Sequence, residues 1–211
     1  MPTENMSHTT PSDNFEFAKQ YSWLFENTSA YAAEATVINI IEIQTPLGPM
    51  LAGATPEGVC MLEFTNRIRF EKEMSDLKKL LNAVILSGRN LHLDQLENEL
   101  SEYFKGKRKI FSVSLHTPGN EFSQSVWKAL QEIPYGKTCS YKEQAEKMNN
   151  PKAIRAIAST NGRNRLAIII PCHRVIGSNG SMTGYAAGID KKKWLLKFER
   201  DNSEIAPGSL F

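Results

Sequence analysis

The hydrophobic pattern of the first half predicts a small antiparallel sheet followed by two helices. Apolar and β-branched residues fill 37–44, 50–54 and 59–64, and turns rich in Pro and Gly separate these runs. We therefore expect a three-stranded meander. Apolar residues then recur at helical spacing in 70–81 and 91–104. This succession predicts an α/β (α+β) domain with a small sheet packed against helices.

The second half changes to short helices. Helical spacing of apolar residues predicts helices over 122–133, 151–161 and 190–200. Ser140 and Glu143 have the spacing of a capping box, which indicates the start of a further short helix. Two short helices joined by a tight turn are typical of a helix-turn-helix.

The helix over 151–161 has one apolar and one basic face. Asn150 is expected to cap it, with Pro151 in the first helical position. A helical wheel turns Ile154, Ile157 and Ala158 inward. The opposite face carries small and basic residues, namely Lys152, Arg155, Ala156, Ser159 and Thr160. Such a face allows close approach of a nucleic-acid groove, and the alternative is a surface helix that merely lacks large residues.

Turn chemistry at 117–120 predicts the boundary between two domains. We expect a flexible tail over 1–36 with one short helix around 15–25, a first domain over 37–118 and a second over 119–211. The charge differs between the halves. Residues 1–121 carry 11 Lys and Arg against 16 Asp and Glu, whereas 122–211 carry 14 against 7. A basic second half suits a polyanionic partner, although a solvated basic surface would give the same count.

Composition excludes several classes of protein. The 211 residues are 41% hydrophobic and 23% charged, as in ordinary globular proteins, and no apolar run has the length of a membrane span. The beginning of the sequence lacks the pattern of a secretory signal. Three cysteines are too few and too scattered for a disulfide framework, which favours a reducing compartment, the cytoplasm or a nucleus. The histidines form no metal-ligand spacing, so we expect no metal and no cofactor.

The strongest chemical signal follows the apolar run 166–170, which predicts a buried strand. It ends at Pro171-Cys172-His173-Arg174-Val175. A cysteine flanked by His and Arg lies in a field that favours the thiolate, which is a strong nucleophile. The alternative is a structural cysteine beside a surface histidine.

This segment, 164–176, resembles the active-site signature of the O6-alkylguanine-DNA alkyltransferases and is closest to their bacterial adaptive-response branch. The resemblance covers 122–199 and extends more loosely back to residue 37. It implies a ribonuclease H-like first domain and a winged helix-turn-helix second domain. It also implies DNA repair by direct reversal, in which an alkyl group passes irreversibly from guanine O6 to a cysteine.

The resemblance assigns a catalytic role to five residues. Cys172 accepts the alkyl group, His173 relays the thiol proton through a water and Glu199 orients His173. Tyr141 donates a proton to guanine N3, and Asn164 braces the segment before the cysteine. Independent support comes from the helical wheel of 190–200, which places Glu199 inside the apolar arc, where a carboxylate needs a partner.

The resemblance also assigns a DNA surface and a pocket. Arg155 fills the space of a base flipped out of the duplex. The other predicted DNA contacts are Lys152, Ala156, Ser159, Thr160 and Arg174. The predicted alkyl pocket is lined by Val175, Tyr185, Ala186 and Gly188. The implied partner is double-stranded DNA containing O6-alkylguanine, bound by a monomer and away from membranes.

Other functions remain open from the residues alone. The protein could act on O4-alkylthymine as well. A non-catalytic lesion binder, a winged-helix regulator and a cysteine hydrolase are alternatives, but Cys172 argues against the first and no oxyanion-hole signature supports the last. The zinc-binding module of adaptive-response proteins needs four cysteines, whereas residues 1–121 contain only Cys60.

Overall fold

The structure, a computed structural model, describes residues 19, 21–25, 35–65 and 70–203. These residues form two compact units. The first comprises the described residues up to 105 together with 112–118, and the second comprises 106–111 and 119–203. Most of the predicted tail and of its helix at 15–25 lies outside the described residues. Among the described residues, no helix has the length and apolarity needed to cross a membrane.

The first unit is built on a four-stranded sheet in the order β3-β2-β1-β4. Its strands are β1 (Thr36–Ile43), β2 (Met50–Thr55), β3 (Gly58–Phe64) and β4 (Ala83–Ser87). The meander β1-β2-β3 is antiparallel, as predicted, whereas β4 pairs parallel to β1. The mixed α+β class is confirmed, and β4 is a strand that the sequence analysis missed.

Helices cover both faces of this sheet. Helix α1 (Phe70–Leu80) packs Phe70, Met74 and Leu77 against Ile38 and Ile40 on one face. Helix α2 (Leu91–Phe104) contacts β1, β2 and β3. Every residue of β2 and β3 is consequently buried, which explains why these strands read as continuous apolar runs.

Residues 21–25 fall where the sequence predicts one short helix within the tail. Ser22–Leu24 form a short 3₁₀ helix, and the side chains of Tyr21 and Leu24 are buried in the same core as α1. The hydroxyl of Tyr21 donates to Glu42 Oε2 at 3.0 Å. Burial of two large side chains outweighs the polar composition of the surrounding residues.

The second unit consists of short helices around a two-stranded parallel sheet. Its helices are α3 (Glu121–Gln131), α4 (Tyr141–Lys147), α5 (Ile154–Asn161) and α6 (Ile189–Asp201). Strand β5 (Cys139–Ser140) pairs with β6 (Val175–Ile176). The capping box at α4 is confirmed, because Ser140 and Glu143 each bond the other's backbone N–H.

The predicted start of α5 is wrong. Residues 151–152 form a turn, and the helix begins at Ile154 without a side-chain cap. Ile154, which was expected to point inward, is exposed, whereas Ile157, Thr160 and Asn161 form the buried stripe. Asn161 exchanges hydrogen bonds of 2.7 and 3.3 Å with Gln144 of α4, and this amide pair ties the two short helices together.

Candidate active site

The segment before Cys172 is buried but is not a strand. Residues 167–170 form tight turns, and Ile168 has a φ of +72°, which is unusual for a β-branched residue. Asn164 holds these turns: its Oδ1 accepts from Leu166 N at 3.0 Å, and its Nδ2 donates to Ile170 O at 2.8 Å. The prediction of a strand failed here because a run of apolar residues indicates that a segment is buried, but does not indicate whether its backbone is extended.

Cys172 begins a 3₁₀ turn over Cys172–Arg174, and its side chain is partly exposed. Nδ2 of Asn164 lies 3.3 Å from Sγ. All three cysteines are among the described residues and none forms a disulfide. Cys60 and Cys139 are buried, so Cys172 is the cysteine that a reactant reaches most readily.

His173 and Glu199 form a fully buried pair. Nε2 of His173 lies 2.9 Å from Oε1 of Glu199, and neither side chain is exposed. Nδ1 of His173 is also buried, and no described residue forms a hydrogen bond with it. Glu199 lies on α6 at the position where the helical wheel placed it among apolar residues, and its partner is the histidine.

The ionisation of this pair follows from its surroundings. Burial alone would raise the pKa of Glu199, but hydrogen bonds with His173 and Arg174 hold it well below its usual range. Burial lowers the pKa of His173 against the opposing effect of Glu199. An ionised carboxylate only accepts, so Nε2 of a neutral His173 carries the proton and Nδ1 is left as a base.

The prediction that Arg174 contacts DNA is wrong. Its guanidinium is buried and makes two bonds to Glu199, from Nε at 2.8 Å and from Nη2 at 2.9 Å. Nη1 donates to Ile133 O at 2.6 Å, and the group lies 5.7 Å from the ring centre of Tyr135. A bidentate Arg–carboxylate pair satisfies the buried charge of Glu199, which is why the motif needs arginine here.

Tyr141 lies beside the pocket segment 183–188. A Cβ on Gly184 would lie 3.1 Å from the Tyr141 hydroxyl, so glycine allows this approach. Burial, with the nearby Cys172, raises the pKa of Tyr141, and its phenol therefore stays protonated at neutral pH. Tyr185 packs edge-on against His173 at 6.5 Å between ring centres. Of the other predicted pocket residues, Val175 is buried, Ala186 is half-buried and Gly188 is exposed at the start of α6.

Lys192 is a site residue that sequence reasoning missed. Its side chain is buried on α6, and its Nζ donates to Val175 O and Thr183 O. The signal was present in the sequence, because Lys192 lies three residues before Leu195 and seven before Glu199, on the same buried face.

The predicted DNA face, which comprises Lys152 in the turn before α5 and four residues of α5, is exposed except at one position. Lys152, Arg155, Ala156 and Ser159 are exposed. The placement of Thr160 on this face is wrong, because its side chain is buried and its carbonyl accepts from Trp127 Nε1 at 3.2 Å. No group of His, Cys, Asp and Glu among the described residues has the arrangement of a metal site.

Two family models match the chain. Residues 40–117 match the ribonuclease-like domain, and residues 121–201 match the DNA-binding domain, of 6-O-methylguanine DNA methyltransferase. A methylated-DNA–protein-cysteine methyltransferase of Methanosarcina barkeri is 42% identical over 163 residues, which cover 76% of this chain and 96% of the relative. The chain belongs to the 6-O-methylguanine DNA methyltransferase family.

Relatives within this family include solved structures. Mycobacterium tuberculosis O6-methylguanine methyltransferase has a TM-score of 0.66 and 34% identity, covering 82% of this chain and 96% of that one. The M. tuberculosis protein in complex with DNA has a TM-score of 0.65 and 34% identity, covering 79% and 94%. The family and fold class expected from the sequence are confirmed. Archaeal and bacterial relatives both match, so the placement in the adaptive-response branch stays a prediction.

Proposed function

We propose that this protein repairs DNA by accepting the alkyl group of O6-alkylguanine on Sγ of Cys172, once per molecule. The observation that carries the proposal is the buried pair of His173 and Glu199, in which the histidine directly follows the partly exposed Cys172 along the chain. A neutral imidazole with a free Nδ1 is a base for that thiol. Membership in the methyltransferase family supports the same reaction.

The reaction balances with the groups at hand. The thiol proton passes to Nδ1 of His173, through the water that the family resemblance implies. Sγ then attacks the alkyl carbon, the carbon–O6 bond breaks and its electron pair remains on guanine. Tyr141 donates its proton to guanine N3, and the imidazolium returns the proton to the phenolate. Thiol and alkylguanine thus become thioether and guanine.

The reaction ends at the thioether. Neither water nor another thiolate displaces a thiolate from a simple alkyl carbon at a useful rate, so Cys172 is not regenerated. The protein is consumed with its substrate and needs no cofactor. Among alkylated bases, O4-alkylthymine remains a second candidate substrate, because its alkyl carbon reacts in the same way.

We propose that double-stranded DNA docks on the exposed face of α5. Lys152 and Arg155 supply positive charge, and the small side chains of Ala156 and Ser159 allow the helix to enter a groove. Arg155 takes the place of the flipped base, which enters the pocket formed by Val175, Tyr185, Ala186 and Gly188. We further propose that the protein acts as a monomer and that residues 37–118 and 119–211 are its two domains, with 106–111 packed in the second unit.

Transfer of a labelled methyl group tests the function. Duplex DNA with tritium-labelled O6-methylguanine is incubated with increasing protein, and protein-bound label is counted. We expect a plateau near one methyl group per molecule, and no label on Cys172→Ala. Cys139→Ala is the matched control because Cys139 is buried, and it should reach the same plateau. Multiple turnover, or labelling of Cys172→Ala, would refute the proposal.

A further inference from the structure

Gln144 and Asn161 form a buried amide pair between the two short helices α4 and α5. Nδ2 of Asn161 donates to Oε1 of Gln144 at 2.7 Å, and Nε2 of Gln144 donates to Oδ1 of Asn161 at 3.3 Å. The two side chains are 1% and 5% exposed. Burial of an amide is costly unless the amide is hydrogen-bonded, and here each side chain supplies a donor and an acceptor to the other. An apolar pair of similar size would fill the same space without this requirement.

The remaining buried contact between these helices is apolar and small. Among the described residues of the two helices, the buried apolar side chains are Ala145 on α4 and Ile157 on α5. Apolar contact has no preferred direction, whereas a hydrogen bond requires both a distance and an angle. The register of α5 against α4 therefore depends on the amide pair.

Each of the two helices carries a group of the proposed reaction. Tyr141, whose hydroxyl approaches Gly184, lies one helical turn before Gln144 on α4. Arg155 lies in the first turn of α5, on its exposed face, and Asn161 ends that helix. A shift of α5 along α4 would displace Arg155 from Tyr141 by the same distance. To fix the register of packed helices is the best-attested use of a buried polar group.

We propose that Gln144 and Asn161 are positioning residues for the repair of duplex DNA. Their amide pair holds α5 in register with α4, so that Arg155 fills the base stack while Tyr141 meets the base that has left it. The inference rests on the proposed function for its relevance to repair. The effect of the pair on DNA binding by α5 does not require alkyl transfer and is measured separately.

Substitution of both residues by Leu separates register from stability. Gln144→Leu or Asn161→Leu alone leaves a buried amide without its partner, so each single variant should melt at a lower temperature. The double variant removes both amides and should melt close to the wild type. We nevertheless expect it to accept methyl groups from duplex DNA roughly ten- to a hundredfold more slowly in single-turnover kinetics, because a misplacement of about 1 Å can cost that much. Gln131→Leu, at an exposed glutamine of α3, should match the wild type in both measurements.

A merely structural role would give a different result. Methyl transfer by the double variant would then return to the wild-type rate together with the melting temperature, and that outcome would overturn the inference. Fluorescence anisotropy with undamaged duplex DNA separates this failure from failure of the proposed function. If the wild type binds the duplex but accepts no methyl group, while the double variant binds several-fold more weakly, the proposed function falls and the role of the pair stands. Equal affinities in that case would overturn both.

The wild-type protein gives a second test if the double variant does not fold. A pair that sets the register of α5 must already be formed in the protein without DNA. The side-chain amide protons of Gln144 and Asn161 should therefore exchange with solvent much more slowly than those of the exposed Gln131, as followed by ¹⁵N NMR. Exchange as fast as that of Gln131 would overturn the inference.

Discussion

Nε2 of His173 lies 2.9 Å from Oε1 of Glu199, and both side chains are closed off from solvent. This contact decides which nitrogen of the imidazole carries the proton. Because Glu199 accepts a hydrogen bond from Nε2–H of His173, the basic lone pair of the imidazole is on Nδ1. Arg174 in turn keeps Glu199 ionised through its two hydrogen bonds. The base is thus set by a chain of three side chains within the buried core of the second unit.

Glu199→Gln should destabilise the protein and slow methyl transfer. The amide retains the shape but leaves the guanidinium of Arg174 without its counter-charge, and breaking such buried pairs costs on the order of 3 kcal/mol. Urea unfolding and single-turnover kinetics measure the two effects. Glu146→Gln, in an exposed helix pair of 3.8 Å, is the control and should change stability by less than about 0.5 kcal/mol. Equal losses in the two variants would contradict the assignment.

Stability should fall as the pH is lowered from neutral, in two stages. The pKa of His173 is below its ordinary value of 6.5 when folded, so below about that pH the unfolded chain takes up a proton that the folded chain does not. Glu199 behaves likewise below its ordinary value of 4.5, where the stability it contributes is progressively lost. Urea titrations between about pH 2 and pH 8 measure both stages. A free energy of unfolding that rises below pH 6.5 would exclude the proposed protonation states.

Arg155→Ala should slow repair of duplex DNA far more than dealkylation of free O6-benzylguanine. A free base needs no extrusion, whereas unstacking a base costs a few kcal/mol. Each 1.36 kcal/mol is tenfold in rate, so a loss of roughly ten- to a thousandfold is expected on the duplex. Tyr141→Phe should slow both substrates, because both must release guanine. If Arg155→Ala slowed the reactions of the duplex and of the free base by the same factor, Arg155 would be supporting the pocket.

Gly136→Ala should destabilise the protein next to Glu199 by steric overlap. Gly136 has a φ of +74°, its N–H donates to Glu199 Oε2 at 3.2 Å, and a Cβ would lie 2.8 Å from Ser203 Cβ. Gly180→Ala is the control, since Gly180 has a φ of +76° and open space around it. Backbone strain at the positive φ destabilises both variants by about 1 kcal/mol. The overlap should cost Gly136→Ala about 1–3 kcal/mol more in calorimetry, and equal melting temperatures would contradict it.

Sequence reasoning succeeded where one physical signal dominated. The capping box predicted the start of α4, and the amphipathic pattern of 190–200 placed Glu199 inside the core. The same reasoning failed at 166–170, because a run of buried apolar residues does not distinguish a strand from turns braced by Asn164. It missed β4 because that strand is short and lies between two helices.

Charge was the other source of error. Arg174 was predicted to contact DNA and Lys192 was not singled out, since isolated basic residues are usually exposed. Arg174 pairs with Glu199, which is distant along the sequence. Lys192 donates to two backbone carbonyls, and no side chain in the sequence reveals these partners. Thr160 was misplaced on the helical wheel, because it lies three residues after Ile157 and therefore shares the buried stripe of α5.

The path of the chain limits how the protein can be dissected. Residues 106–111 belong to the second unit although the next residues, 112–118, belong to the first. A Cβ on Gly106 would overlap Asn202 Oδ1, so this segment touches the residue that caps the end of α6. A recombinant half-molecule that begins at Gly119 would lack these contacts and leave the last turn of α6 uncovered. A minimal acceptor fragment should therefore carry 106–111, joined to Gly119 by a flexible linker.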